Sequence, residues 1–166
     1  TGEQRWSHRG GASGLFATDD AVYPRTNDHR VEVLAAGDGH QLASSAPVSG
    51  PLGDSDVVGV TDHAVVTFRN NSSGATTVAF DRATGAFLWA RGDEQGSYLF
   101  PVPGRTTVAL ADSDSGEVKV LDDRTGVERA RYAGVPDDRN AAARGDRVFV
   151  VEDVDGVATL RVHELP

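Results

Sequence analysis

The chain has 166 residues with 16 Lys and Arg against 25 Asp and Glu, and its formal charge of −9 argues against non-specific nucleic-acid binding, which needs cations to displace phosphate counterions. Cys is absent, which excludes disulfides, thiolate metal sites and Cys nucleophiles, and no run approaches the roughly 20 apolar residues of a membrane-spanning helix. The sequence opens on Thr and contains no Met, so we expect it to be a processed, excised or proteolysed piece of a longer chain, which leaves room for an anchor or signal segment outside it.

Gly, Val, Thr, Asp and Ala dominate, a composition of strands and turns. Strands are predicted wherever alternating or β-branched runs are bounded by Gly, Asp, Asn or Pro. Residues 3–8 read as a first, isolated strand. A unit of four follows at 15–18, 21–25, 31–34 and 41–45. The second unit has strands at 57–61, 64–69, 76–81 and 86–90, and the third at 98–102, 106–111, 117–122 and 127–132. A fourth unit has 141–144, 147–152 and 157–163 but no outermost strand. We divide the single repeat domain, 1–166, into units of 13–49, 54–92, 97–134 and 139–166. Residues 1–10 form an outer strand that completes the last unit or belongs to a preceding one.

The units are alike in detail. Ala79-Phe80-Asp81-Arg82-Ala83-Thr84-Gly85-Ala86-Phe87-Leu88-Trp89 and Val120-Leu121-Asp122-Asp123-Arg124-Thr125-Gly126 both place a Thr-Gly turn between two strands. Ala35-Ala36-Gly37-Asp38-Gly39 is a weaker copy, and Thr1-Gly2-Glu3-Gln4-Arg5-Trp6 overlays Thr84 to Trp89 with the Trp in register. The marks recur about every 40 residues, the length of one four-stranded propeller blade. The predicted fold is therefore an all-β β-propeller of about four four-stranded blades, either a closed small ring or half of a seven- or eight-bladed one. An open outer edge on the last blade must be covered. The first strand can close the ring within the chain, or each end can pair with a second piece, by homodimerisation or in a longer parent chain.

The Ala-x-Asp-x-x-Thr-Gly-x-x-x-Trp pattern of Ala79 to Trp89 resembles the repeats of the PQQ-like, or quinoprotein-dehydrogenase-like, β-propellers. The resemblance implies that Trp89 and Trp6 dock one blade on the next, and that Asp81, Thr84, Gly85, Thr125 and Gly126 hold the turns that receive them. It weakens where Ala43 and Ala130 replace Trp and where Ala35 replaces Asp, and the joints at Ala43 and Ala130 are expected to be looser. It also implies a bacterial, extracytoplasmic or envelope location. The family includes quinone-dependent dehydrogenases with a vicinal Cys pair, a calcium ion and a catalytic Asp. This chain has no Cys, and both Trp residues belong to the docking motif, so no catalytic residue and no cofactor are assigned.

Asp112 and Asp114 alternate on a Gly-containing loop and are weak calcium candidates, although hairpin turn chemistry accounts for the same residues. His8, His29, His40, His63 and His163 are dispersed over different units and are read as solvent-facing rather than as zinc ligands. In a propeller the loops between second and third strands share a face with the loops that lead to the next blade. Asp93, Glu94, Asp112, Asp114, Asp137, Asp138, Asp153 and Asp155 fall there, with few cations, and are predicted to form an acidic face for a basic protein partner. The function expected from the whole is a non-catalytic module for protein binding or scaffolding. The alternatives are a dehydrogenase fragment and a sensor for a small ligand.

Overall fold

A computed structural model describes residues 4–9, 12–28, 30–47, 57–71, 74–92, 97–101, 105–112, 115–133, 141–155 and 157–165. Fifteen strands follow one another. The first sheet holds β1 (Ala12–Ala17), β2 (Ala21–Thr26), β3 (Glu32–Ala35) and β4 (Gln41–Ser44). The second holds β5 (Val57–Val60), β6 (Ala64–Asn71), β7 (Gly74–Asp81) and β8 (Phe87–Gly92). The third holds β9 (Ser97–Pro101), β10 (Thr107–Asp112), β11 (Glu117–Asp122) and β12 (Glu128–Ala133). The fourth has β13 (Ala141–Arg144), β14 (Arg147–Val154) and β15 (Val157–Glu164).

Each sheet is an antiparallel meander in which every strand pairs only with its sequence neighbours. These are the blades of a β-propeller, and successive inner strands touch, β1 with β5, β5 with β9 and β9 with β13. No comparable contact joins β13 to β1 among the described residues. Residues 4–9, read as a strand in the sequence, are irregular in the structure and belong to no sheet.

Alternation along each strand supplies two apolar faces, one for each neighbouring blade. Blades one and two share a core of Ala21, Tyr23, Val31, Val33 and Ala43 with Val60, Val65, Val78 and Phe80. Blades two and three meet through Ala64, Val66, Ala79 and Trp89 against Val108, Leu110 and Leu121. Between blades three and four, Ala109, Ala111, Val118 and Val120 pack on Val148, Val150 and Leu165. Stability therefore resides in the three joints between sheets, since an isolated meander has no core of its own.

Candidate functional site

The turns between inner and second strands share one side of the molecule with the turns between third and outer strands, and the polar chemistry of the described residues gathers there. In blade two the Oδ1 atom of Asp81 accepts from the backbone N–H groups of Ala83 and Thr84, at 3.0 and 2.8 Å, and from the Thr84 hydroxyl at 2.9 Å. Asp122 does the same for Arg124 and Thr125, at 3.0, 2.8 and 2.9 Å. Each carboxylate thus caps its own turn, which closes on a Gly in the left-handed region, φ 73° at Gly85 and 67° at Gly126. Partial burial by itself would raise the Asp81 carboxyl, but the bonds from Thr84 and Ala83 outweigh it and hold the group below its ordinary value. At Asp122 burial is likewise outweighed, chiefly by bonds from Arg129 and Thr125.

These turns receive the preceding blade. The indole Nε1 of Trp89 donates to the Asp123 carbonyl at 2.8 Å, and its ring lies so close over Gly126 that a Cβ there would come within 2.8 Å of it. Trp6 repeats the arrangement on blade one. Its Nε1 donates to the Ala36 carbonyl at 3.0 Å, and a Cβ on Gly39 would lie 2.6 Å from the ring. Gly85 meets no Trp, and a Cβ there would fall 2.3 Å from the Ser44 carbonyl oxygen, so the backbone after Ala43 itself closes on the turn.

The two joints without Trp carry other anchors that the repeat pattern does not reveal. Between blades one and two, Arg82 donates through Nε to the buried Tyr23 hydroxyl at 2.6 Å and through a terminal nitrogen to Asp20 at 2.5 Å. The Thr18 hydroxyl, followed by the charge of Arg82, holds the Asp20 carboxyl below its ordinary value. Between blades three and four, the Tyr132 hydroxyl donates to the Glu164 carbonyl at 2.8 Å while its ring stacks on His163, centroids 4.3 Å apart.

Joint two–three holds a further buried group, Asp123, 1% exposed. Its Oδ2 accepts from the Thr61 hydroxyl at 2.8 Å and lies 3.2 Å from His63 Nδ1. The expectation of solvent-facing histidines is corrected here. His8 and His40 are exposed, His8 with its Nε2 2.9 Å from Glu32, but His63 is engaged with Asp123 and His163 lies under Tyr132. Packing between blades recruits them, a constraint that spacing within one strand cannot show. His29 lies outside the described residues.

A cleft of about 480 Å³ opens on this side, its polar lining supplied by Asp20, Asp62, His63, Asp81, Arg82 and Arg124. Among the described residues no three His, Asp or Glu converge to hold a metal ion. Of the predicted acidic face, Asp93, Glu94, Asp114, Asp137 and Asp138 lie outside the described residues. Asp112 is in β10 and Asp153 in β14, where the structure does not describe their side chains. The calcium candidates Asp112 and Asp114 are thus outside its reach. Asp155 is exposed in the turn between β14 and β15, with φ 55°.

No family model and no curated protein matches the sequence. Solved structures do resemble the fold. The computationally designed Ika4 protein is 18% identical and superposes with a TM-score of 0.65, all of each chain being covered. BamB from Moraxella catarrhalis is 15% identical with a TM-score of 0.57, covering 97% of this chain and 49% of its own. U3-55K is 16% identical with a TM-score of 0.62, covering 96% and 50%. A quinohemoprotein alcohol dehydrogenase from Pseudomonas putida HK5 is 14% identical with a TM-score of 0.52, covering 90% and 30%. The chain thus spans all of Ika4 but about half of BamB and U3-55K, and at these identities the likeness is one of fold.

Proposed function

We propose that the chain is a PQQ-like β-propeller module that binds or scaffolds protein partners without catalysis of its own, within a bacterial envelope or secreted protein. One observation carries this reading: four of the polar residues at or beside the cleft, Asp20, Arg82, His63 and Asp123, are engaged in holding blades together. Asp20 and Arg82 bridge blades one and two, His63 and the buried Asp123 bridge two and three, and Asp81 Oδ1 accepts three bonds from its own turn. Groups engaged in this way make a rigid platform and are poorly placed to exchange protons with a substrate.

Neither indole is placed to stack under a quinone cofactor. Stacking under a flat ring system needs an aromatic face to spare, and both indoles are laid on turn glycines with their N–H groups bonded to carbonyls. The contact surface we propose is the acidic loop set, with Asp93, Glu94, Asp112, Asp114, Asp137, Asp138, Asp153 and Asp155 drawing a basic partner by charge.

The test is titration of a fluorescent oligo-arginine peptide at low and high salt, against the wild type and an Asp137→Arg, Asp138→Arg variant. Binding that weakens with salt and falls several-fold on charge reversal supports the reading. Binding indifferent to both, or dye reduction after addition of quinone and calcium, contradicts it.

A further inference from the structure

Blade four presents to solvent the face that the other blades bury. Across β6 and β7, Val66 pairs with Ala79; across β10 and β11, Ala109 pairs with Val120 and Ala111 with Val118. These residues pack on the following blade, and Ala79, Val118 and Val120 are wholly buried. The same register across β14 and β15 pairs Phe149 with Val162 and Val151 with Leu160. Yet Val162 is 49% and Leu160 62% exposed. The pattern is that of a joint whose second half is missing, and exposed apolar surface of this kind marks an interaction site.

Blade one presents the complementary half. Trp6 lies on its Ala36–Gly39 turn as Trp89 lies on the turn of blade three, but Trp89 projects from a strand paired with β7, whereas residues 4–9 pair with nothing among the described residues. In blade two Trp89 is opposite Ala79 and Ala90 opposite Val78. Transferred to β15, this register sets Trp6 opposite Val162 and Ser7 opposite Arg161. Within one chain Trp6 is already seated on its own blade one, which no comparable contact brings to blade four.

From this complementarity we infer that a second copy of the chain is the partner of the open face: residues 4–9 of each copy extend the sheet of β15 in the other, and blade one of each covers Leu160 and Val162 of the other. Two heterologous contacts of this kind, related by a two-fold axis, close a ring of eight blades and leave neither face open. In BamB and U3-55K the fold of this chain takes up about half of a chain roughly twice as long.

Light scattering behind size exclusion, over a range of concentrations, tests the inference on the 166-residue chain. The expected mass is twice the 17.5 kDa of the chain. Because Leu160 and Val162 are exposed, Leu160→Asp and Val162→Asp leave each copy folded, and the mass halves with the β-sheet signal retained. The chain has no Cys, so single-cysteine variants Ser7→Cys and Arg161→Cys can be mixed under mild oxidation. A covalent dimer in the mixture, and in neither variant alone, locates the contact. A wild-type monomer, a dimer unaffected by the two Asp substitutions, or a cross-link confined within one chain in the double cysteine variant overturns the inference.

Discussion

Trp89 and Trp6 make the same two contacts, an indole N–H to a turn carbonyl and a ring over a glycine, in different mechanical settings. Trp89 is 7% exposed and projects from β8, which is bonded along its length to β7. Trp6 is half-buried and comes from a segment in no sheet. The turn alone therefore recruits the indole, and the sheet behind the indole decides how firmly the joint is held. Docking and strand pairing are separable, which allows one copy of the motif to lock blades two and three while the other waits for a sheet to join.

Substitution of the two indoles should break the comparison most sharply. Measured in the Val162→Asp background, so that association does not contribute, Trp89→Ala should cost about 3–5 kcal/mol in denaturant unfolding, from the lost aromatic, its cavity and the unpaired Asp123 carbonyl. Trp6→Ala in the same background should cost about 1 kcal/mol. Equal losses would mean that strand pairing adds nothing to the joint.

The glycines beneath the rings sharpen it. Alanine at Gly39, Gly85 or Gly126 carries the roughly 1–2 kcal/mol of a left-handed L-residue, and the clash then sets the order. Gly85→Ala should be the worst, because its Cβ meets the Ser44 backbone, which cannot swing aside. Gly126→Ala strikes a Trp89 ring fixed by β8, and Gly39→Ala strikes a Trp6 ring on an unpaired segment that can yield. Thermal melts of the three should rank in that order.

Smaller effects separate joint one–two from joint two–three. Arg82→Ala removes the link to Tyr23 and to the exposed Asp20, and the loss in unfolding free energy should be at most about 1 kcal/mol. Both turn carboxylates are held below the ordinary Asp value of 3.8. A group depressed in the folded state contributes stability above its unfolded value and loses it as pH falls through the folded one. Melts should therefore soften as pH drops below 3.8, and Asp81→Asn or Asp122→Asn should flatten that acid limb.

Most of the fold was legible because a period-two pattern punctuated by Gly and Asp is a local signal. All fifteen strands lie within a few residues of their predicted positions, from β1 at Ala12–Ala17 against 15–18 to β15 at Val157–Glu164 against 157–163. The segment before Arg9 was legible as a motif but not as a conformation, since strand geometry at residues 4–9 depends on a pairing partner that the local sequence does not specify. The Trp and Thr-Gly positions could be read from the repeat. Tyr23, Arg82, Asp123 and Tyr132 could not, because each is matched to a residue about 30 to 60 positions away whose nearness is set by how blades stack.

The most direct test of the joint mechanism is hydrogen exchange of the two indole N–H groups in the Val162→Asp chain, followed by nuclear magnetic resonance. The Trp89 proton should exchange only with unfolding of the sheets, while that of Trp6 should exchange through local release, faster by orders of magnitude. Equal protection of the two, or slower exchange at Trp6, would contradict the conclusion that the paired strand, rather than the turn, fixes the blades together.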